Sequence, residues 1–158
     1  MSTSAPLARS PEPAPSQAQL ARRVRRELAA LLYDESGAVP GGVAIYTLAD
    51  PRELRTVRYV GQTLAPRRRL LQHIRTARLW LPHERPWWVR SPRLRPLYDW
   101  MRALFEDDGR LPVMIVCAWV APELARLTER TRICECLAGE QPLLNFEAQL
   151  RRRQPLLL

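Results

Sequence analysis

Four side chains able to handle a phosphate fall in one short stretch, VAIYTLADPRELRTVRYVGQTLAPRRRLLQH, Val43 to His73: Tyr46, Tyr59, Arg69 and His73. Hydrolysing a phosphodiester requires an activated water, stabilisation of charge on the phosphorus oxygens, and help for the departing oxygen. Arg69 can supply the second, because a guanidinium stays charged and presents paired donors to phosphate oxygens. A tyrosine hydroxyl can accept or pass a proton, but its ordinary pKa near 10 demands a cationic or metal neighbour first. The stretch offers no metal ligand in a useful place, since Glu53 sits in the connection between two apolar runs, at the wrong end. Each residue alone has an ordinary explanation. A tyrosine in a hairpin is more often a half-buried strand residue than a catalyst, and a single histidine is more often a satisfied surface or core group.

The elements that must position these residues can be read from pattern and punctuation. Val43–Leu48 and Thr56–Gln62 read as strands, and Ala49–Arg55, marked by Asp50-Pro51, is a connection short enough to make them an antiparallel hairpin. Pro66 lies near the start of a helix buried through Leu70, Leu71 and Ile74, on which Arg69 and His73 share a face. Leu94, Leu97, Tyr98, Met101, Leu104 and Phe105 recur at helical steps. Val113–Val120, apolar throughout, is expected to be the central strand, buried on both sides. Pro122 opens a last long helix with Leu124, Leu127, Thr131, Cys134 and Ala138 as its expected core stripe, stopped at Gly139. An earlier helix over Gln19–Leu32 carries Leu20, Val24, Leu28 and Leu31 as one stripe. The predicted class is α+β, a small three-stranded, largely antiparallel sheet flanked by helices. Residues 1–17 are expected to be a disordered tail, 18–42 the N-terminal helix and its linker, 43–147 the domain, and 148–158 a basic C-terminal tail.

Composition narrows the partners. The chain has 158 residues, a formal charge of +9, and 25 basic residues, every one of them arginine. Such a balance favours polyanions, because neutralising phosphates releases their counterions. The charge concentrates between Arg67 and Arg95, where nine arginines face the single acid Glu84. Three cysteines do not make a secreted disulfide framework. No apolar core follows an early basic cluster, and no apolar run approaches the ~20 residues a membrane helix requires. A soluble, cytoplasmic protein without a membrane partner is expected.

Ala44-Ile45-Tyr46, then twelve residues, then Tyr59-Val60-Gly61 resembles the two-part signature of the GIY-YIG nuclease superfamily. The family pattern continues with an arginine ten residues past the second tyrosine and often a histidine four further on, here Arg69 and His73. It includes a glutamate near the start of a later helix, an isoleucine four on, and a Leu-Asn pair, matched by Glu129, Ile133 and Leu144-Asn145. The resemblance covers about two-thirds of the chain, Val43 to Asn145. It departs from the pattern at Ala44, where a glycine is usual, and at Gln62, where some members carry lysine.

The resemblance implies a DNA endonuclease that uses one divalent cation, Mg²⁺ or Mn²⁺. Glu129 would hold the ion on the scissile phosphate, and Tyr46 or Tyr59 would activate or orient the water. Arg69 would stabilise the transition-state charge, with His73 hydrogen-bonding nearby. Gly61 would let the backbone turn closely at the strand end, and Asn145 would brace the site from behind or contact the substrate. Without the family spacing Glu129 reads as a solvated salt-bridge partner, one of several acids on its helix. The expected DNA footprint comprises Arg67, Arg68, Arg75 and Arg78, with Trp87 and Trp88, which could stack on unpaired bases or equally clamp a proline-rich loop. Cys134 and Cys136, two apart on a helix, point too far apart to chelate zinc, and Cys134 reads as a buried structural cysteine. The alternatives to an enzyme are a non-catalytic nucleic-acid-binding module of the same fold and a protein-interaction domain built on Trp80–Arg95. Oligomeric state does not follow from the sequence.

Overall fold

The computed structural model of the chain describes residues 38–81 and 83–153, together with 16, 18–19, 22–23 and 26. The expected tail over 1–17 and the expected helix over Gln19–Leu32 lie, those few positions apart, outside the described residues. The architecture is α+β, with a three-stranded antiparallel sheet between helices. Among the described residues no helix is long and apolar enough to cross a membrane.

β1, Val43–Asp50, and β2, Glu53–Thr63, extend further toward each other than alternation suggests, leaving only Pro51-Arg52 as the turn. Arg52 makes this tight closure possible. Its backbone N–H donates to Asp50 Oδ1 at 2.9 Å, and its guanidinium donates to both oxygens of the same carboxylate at 2.9 and 2.8 Å. Pairing therefore continues out to Asp50 opposite Glu53. Farther in, Tyr46 stands opposite Gly61 and Leu48 opposite Tyr59. β3, Val113–Val120, takes the other side of β1, with Val116 opposite Tyr46, so the order is β2-β1-β3.

The expectation of a central Val113–Val120 is thus corrected: β1 is central and β3 lies at the edge. Every residue from Val43 to Ala49 is buried, whereas Ile115 on β3 is 40% exposed. Both runs are apolar, and connectivity decides between them. A two-residue turn obliges β1 and β2 to be neighbours, and the segment Gln141–Asn145 runs along the outer side of β2, so the free side of β1 is left for β3.

Two cores result, one on each face. α1, Pro66–Ala77, and α2, Arg95–Asp108, cover Tyr46, Leu48 and Met114 with Leu70, Ile74, Leu97 and Met101. Each helix ends on a residue in the left-handed region, Arg78 and Gly109. α3, Pro122–Ala138, covers Ile45, Val57 and Val60 with Ile133 and Cys136. The expected stripe of this helix is on the wrong side: Leu124 and Leu127 are 52% and 65% exposed, and Thr131, Cys134 and Ala138 face solvent. Its buried cysteine is Cys136 rather than Cys134. Ala125, Ile133 and Cys136 form a second, narrower stripe of small and medium residues, and that is the one seated on the sheet. Finally, residues 148–153, assigned to the basic tail, belong to α4, Phe146–Arg153, which is anchored by buried Ala148.

Candidate active site

Tyr46 projects from β1 onto the face covered by α1, and its ring lies across Gly61 on the neighbouring strand. A Cβ at position 61 would sit 2.6 Å from both Cζ and Oη of Tyr46. The glycine is required for ring clearance, not for the close strand-end turn expected of it, because its backbone lies outside the left-handed region. The Tyr46 hydroxyl is 2.8 Å from His73 Nε2 and accepts from Arg69 Nε at 3.4 Å. On the far side of the imidazole, Nδ1 is 3.2 Å from the hydroxyl of Tyr98 on α2. The four-residue step between Arg69 and His73 brings both to Tyr46, as the helical reading of their spacing requires.

Protonation in this cluster follows from burial. Removal from water, and secondarily the Arg69 charge, pulls His73 down to about 3, so the imidazole is neutral. Burial above all, with Tyr59 adding, pushes Tyr46 far above the ordinary phenol range in spite of Arg69, so it keeps its proton. Since the Tyr46 oxygen accepts from Arg69, its own proton is directed to His73 Nε2. That leaves Nδ1–H to donate to Tyr98, which assigns the tautomer by hydrogen-bond counting.

Tyr59 stands between the two sides of the site. Its ring centre is 6.2 Å from that of Tyr46 and 5.7 Å from that of His73. Its hydroxyl is raised by burial, with the positive charge of Arg69 opposing and the carboxylate of Glu129 adding. Unlike Tyr46, which has no exposed surface, Tyr59 lines a cavity of about 410 Å³ together with Glu129, Gln62 and Asn145. Glu129 reaches this cavity from α3, and Gln62 Nε2 donates to its Oε2 at 2.6 Å. Burial first, and the nearby Glu147 second, raise the Glu129 pKa against the lowering effect of that hydrogen bond. Gln62 is therefore the residue that orients this carboxylate.

Asn145 braces β2. Its Oδ1 accepts from Val60 N–H at 2.9 Å and its Nδ2 donates to Val60 C=O at 2.8 Å. The next strand positions are tied by Leu144 N–H to Arg58 C=O at 2.6 Å and by Val57 N–H to Gln141 Oε1 at 2.9 Å. Of the two roles expected for Asn145, the hydrogen bonds match the bracing one. With each bond contributing about 0.5–1.5 kcal/mol, the bracket fixes Tyr59 and Gly61 on either side of Val60.

The expected DNA contacts separate into three groups. Arg68 and Arg75 are exposed on α1 and line a groove of about 500 Å³ together with Arg69. Arg67 is exposed on the same helix, and Arg78 lies at its left-handed end, 4.0 Å from Glu84. Trp87 is 70% exposed, but Trp88 is fully buried, donates from Nε1 to Thr76 C=O at 2.7 Å, and has the Arg102 guanidinium 5.0 Å from its ring centre. Trp88 is the packing clamp between α1 and the Trp87–Arg90 turn, and it cannot stack on a base. Sequence reasoning missed Tyr98, which reads as one more apolar position of its helix. It also missed Arg93, Arg126, Arg130 and Glu147 in the cavity beside Glu129. Following the Glu129 face one turn back to Arg126 would have found the second of these.

Among the described residues no three His, Cys, Asp or Glu side chains converge to hold a metal ion. A hard cation such as Mg²⁺ keeps several waters and needs only one or two carboxylates beside substrate oxygens. Glu129, half-buried in the cavity wall with one oxygen already held by Gln62, fits that small donor set. No protein-family model matches this chain, and comparison with curated proteins and with solved structures gives no match.

Proposed function

We propose that the chain is a metal-dependent DNA endonuclease of the GIY-YIG type, hydrolysing phosphodiester bonds. The observation that carries this reading is the convergence at one end of β2 of a guanidinium, a hydrogen-bonded Tyr–His–Tyr chain and a half-buried carboxylate: Arg69, Tyr46, His73, Tyr98 and Glu129. These groups lie beside two basic grooves. A divalent cation held by Glu129 would supply Lewis-acid polarisation of the phosphoryl oxygens.

The chain's own residues do the rest. Tyr59, the tyrosine that faces the cavity, takes the role of orienting the attacking water. Tyr46, buried with its proton committed to His73, serves as the fixed acceptor that aims Arg69. Held in that position, Arg69 offers its remaining donors to the charge that builds on the phosphate in the transition state. Neutral His73, locked by Tyr98, keeps Tyr46 from rotating away.

The test is nicking of supercoiled plasmid with Mg²⁺ or Mn²⁺. Arg69→Ala and Glu129→Ala are each expected to lower the rate on the order of 10²–10³-fold, the loss typical of removing one group that stabilises transition-state charge, directly for Arg69 and through the cation for Glu129. Equal nicking by both variants and the wild type would overturn the reading. DNA binding with no cleavage in any metal would favour the non-catalytic binding module.

A further inference from the structure

The cavity beside Glu129 holds more positive charge than the hydrolytic chemistry uses. Arg126 and Arg130 reach it from α3, one helical turn apart and on the side that carries Glu129 and Ile133. Arg93 reaches it from the segment before α2, with its guanidinium 5.1 Å from the ring centre of Phe146, a cation–π contact that sets its position at the rim. Among the described residues, none of the three has an ion-pair partner within 4.0 Å. Two carboxylates, Glu129 and Glu147, share the cavity with these three guanidiniums, so the balance there favours an anion.

The other groove holds Arg68, Arg69 and Arg75. Gln62 lines the first and its chain neighbour Thr63 lines the second, so both cavities reach the last two residues of β2.

We infer that Arg93, Arg126 and Arg130 bind backbone phosphates of the DNA strand on the α3 side of the cleavage point. One strand then crosses the end of β2, from these three arginines to Arg68 and Arg75. The assignment rests on the nuclease reading, and it makes both grooves parts of one continuous phosphate track. Such contacts fix the position of the strand and carry no sequence information.

The experiment is fluorescence anisotropy of a labelled DNA duplex in EDTA, where no cleavage occurs, across a series of salt concentrations. Arg126→Ala and Arg130→Ala are each expected to weaken binding several-fold and to reduce the slope of log affinity against log salt by about one. Arg126→Lys, which keeps the charge, should keep the slope, and Arg110→Ala, outside both grooves, should bind as the wild type does. Unchanged affinity and slope in Arg126→Ala and Arg130→Ala, or no DNA binding by the wild type, would overturn the assignment. Plasmid nicking is scored separately: a wild type that binds with the expected arginine dependence but never nicks keeps the phosphate track and loses the nuclease.

Discussion

On the α1 side of the site, Tyr46, His73 and Tyr98 are buried and joined end to end at 2.8 and 3.2 Å. On the α3 side, Glu129 has one short hydrogen bond, to Gln62, and its arginine neighbours face an open cavity. The first half is finished by folding: its donors and acceptors are matched within the protein, and low-dielectric surroundings make any mismatch costly. The second half is left open, with its charged groups facing the cavity. Under the proposed nuclease reading, catalytic preorganisation belongs to one half and ligand response to the other. Substitutions should separate accordingly, with the buried half losing stability and the open half losing only affinity or rate.

At pH 7 the largest effect on stability is expected from breaking the buried half at Gly61. The methyl of Gly61→Ala would press on a Tyr46 ring that has no exposed surface to move into. Overpacking of this kind costs about 1–3 kcal/mol, to be read from the urea midpoint, with nicking falling alongside.

A second effect is set by pH. His73 is held near 3 when folded against 6.5 when unfolded, so between those values the unfolded chain binds the extra proton. Its contribution to stability is complete above pH 6.5 and is lost as pH falls toward 3, at up to about 1.4 kcal/mol per unit. Urea titrations at pH 7.5, 6 and 5 should show that slope in the wild type and a flatter one in His73→Gln.

The smallest effect sharpens the contrast from the other side. Removing the charge of Glu129, whose pKa is raised mainly by burial, should leave stability at pH 7 unchanged or slightly higher in Glu129→Gln, within about 0.5 kcal/mol once solvent screening is allowed for. A loss of several kcal/mol in that variant would show that the open half is also structural.

Much of the buried half was legible because short-range rules govern it. The two-strand hairpin and the helical step from Arg69 to His73 together bring those residues to Tyr46, and Tyr59 follows from the register. The other half depends on long-range choices. Along α3 two apolar stripes have helical spacing, and periodicity alone does not say which one meets the sheet. Leu124 and Leu127 are the larger side chains, yet Ala125 and Cys136 allow the closer approach and are buried. Likewise the apolar Val113–Val120 could be central or peripheral until the path of Gln141–Asn145 is known. Trp88 and Trp87 are chemically identical neighbours, and only tertiary contacts, the carbonyl of Thr76 and the guanidinium of Arg102, distinguish the clamp from the exposed ring. The arginines beside Glu129 come from α3 and from the segment before α2, more than thirty residues apart, so no short window of sequence displays them together.

The bracket around Val60 also bears on how copies of this chain keep apart. An exposed strand edge offers a row of unpaired N–H and C=O groups, a template on which another chain can add a strand. Along the middle of β2 such groups are already taken: the N–H of Val57 by Gln141, the C=O of Arg58 by Leu144, and Val60 at both its N–H and its C=O by Asn145. A side-chain amide here imitates the missing fourth strand without extending the sheet. The same few residues that steady Tyr59 thereby protect this border against edge-to-edge aggregation, beside the surface along which the proposed DNA strand would run.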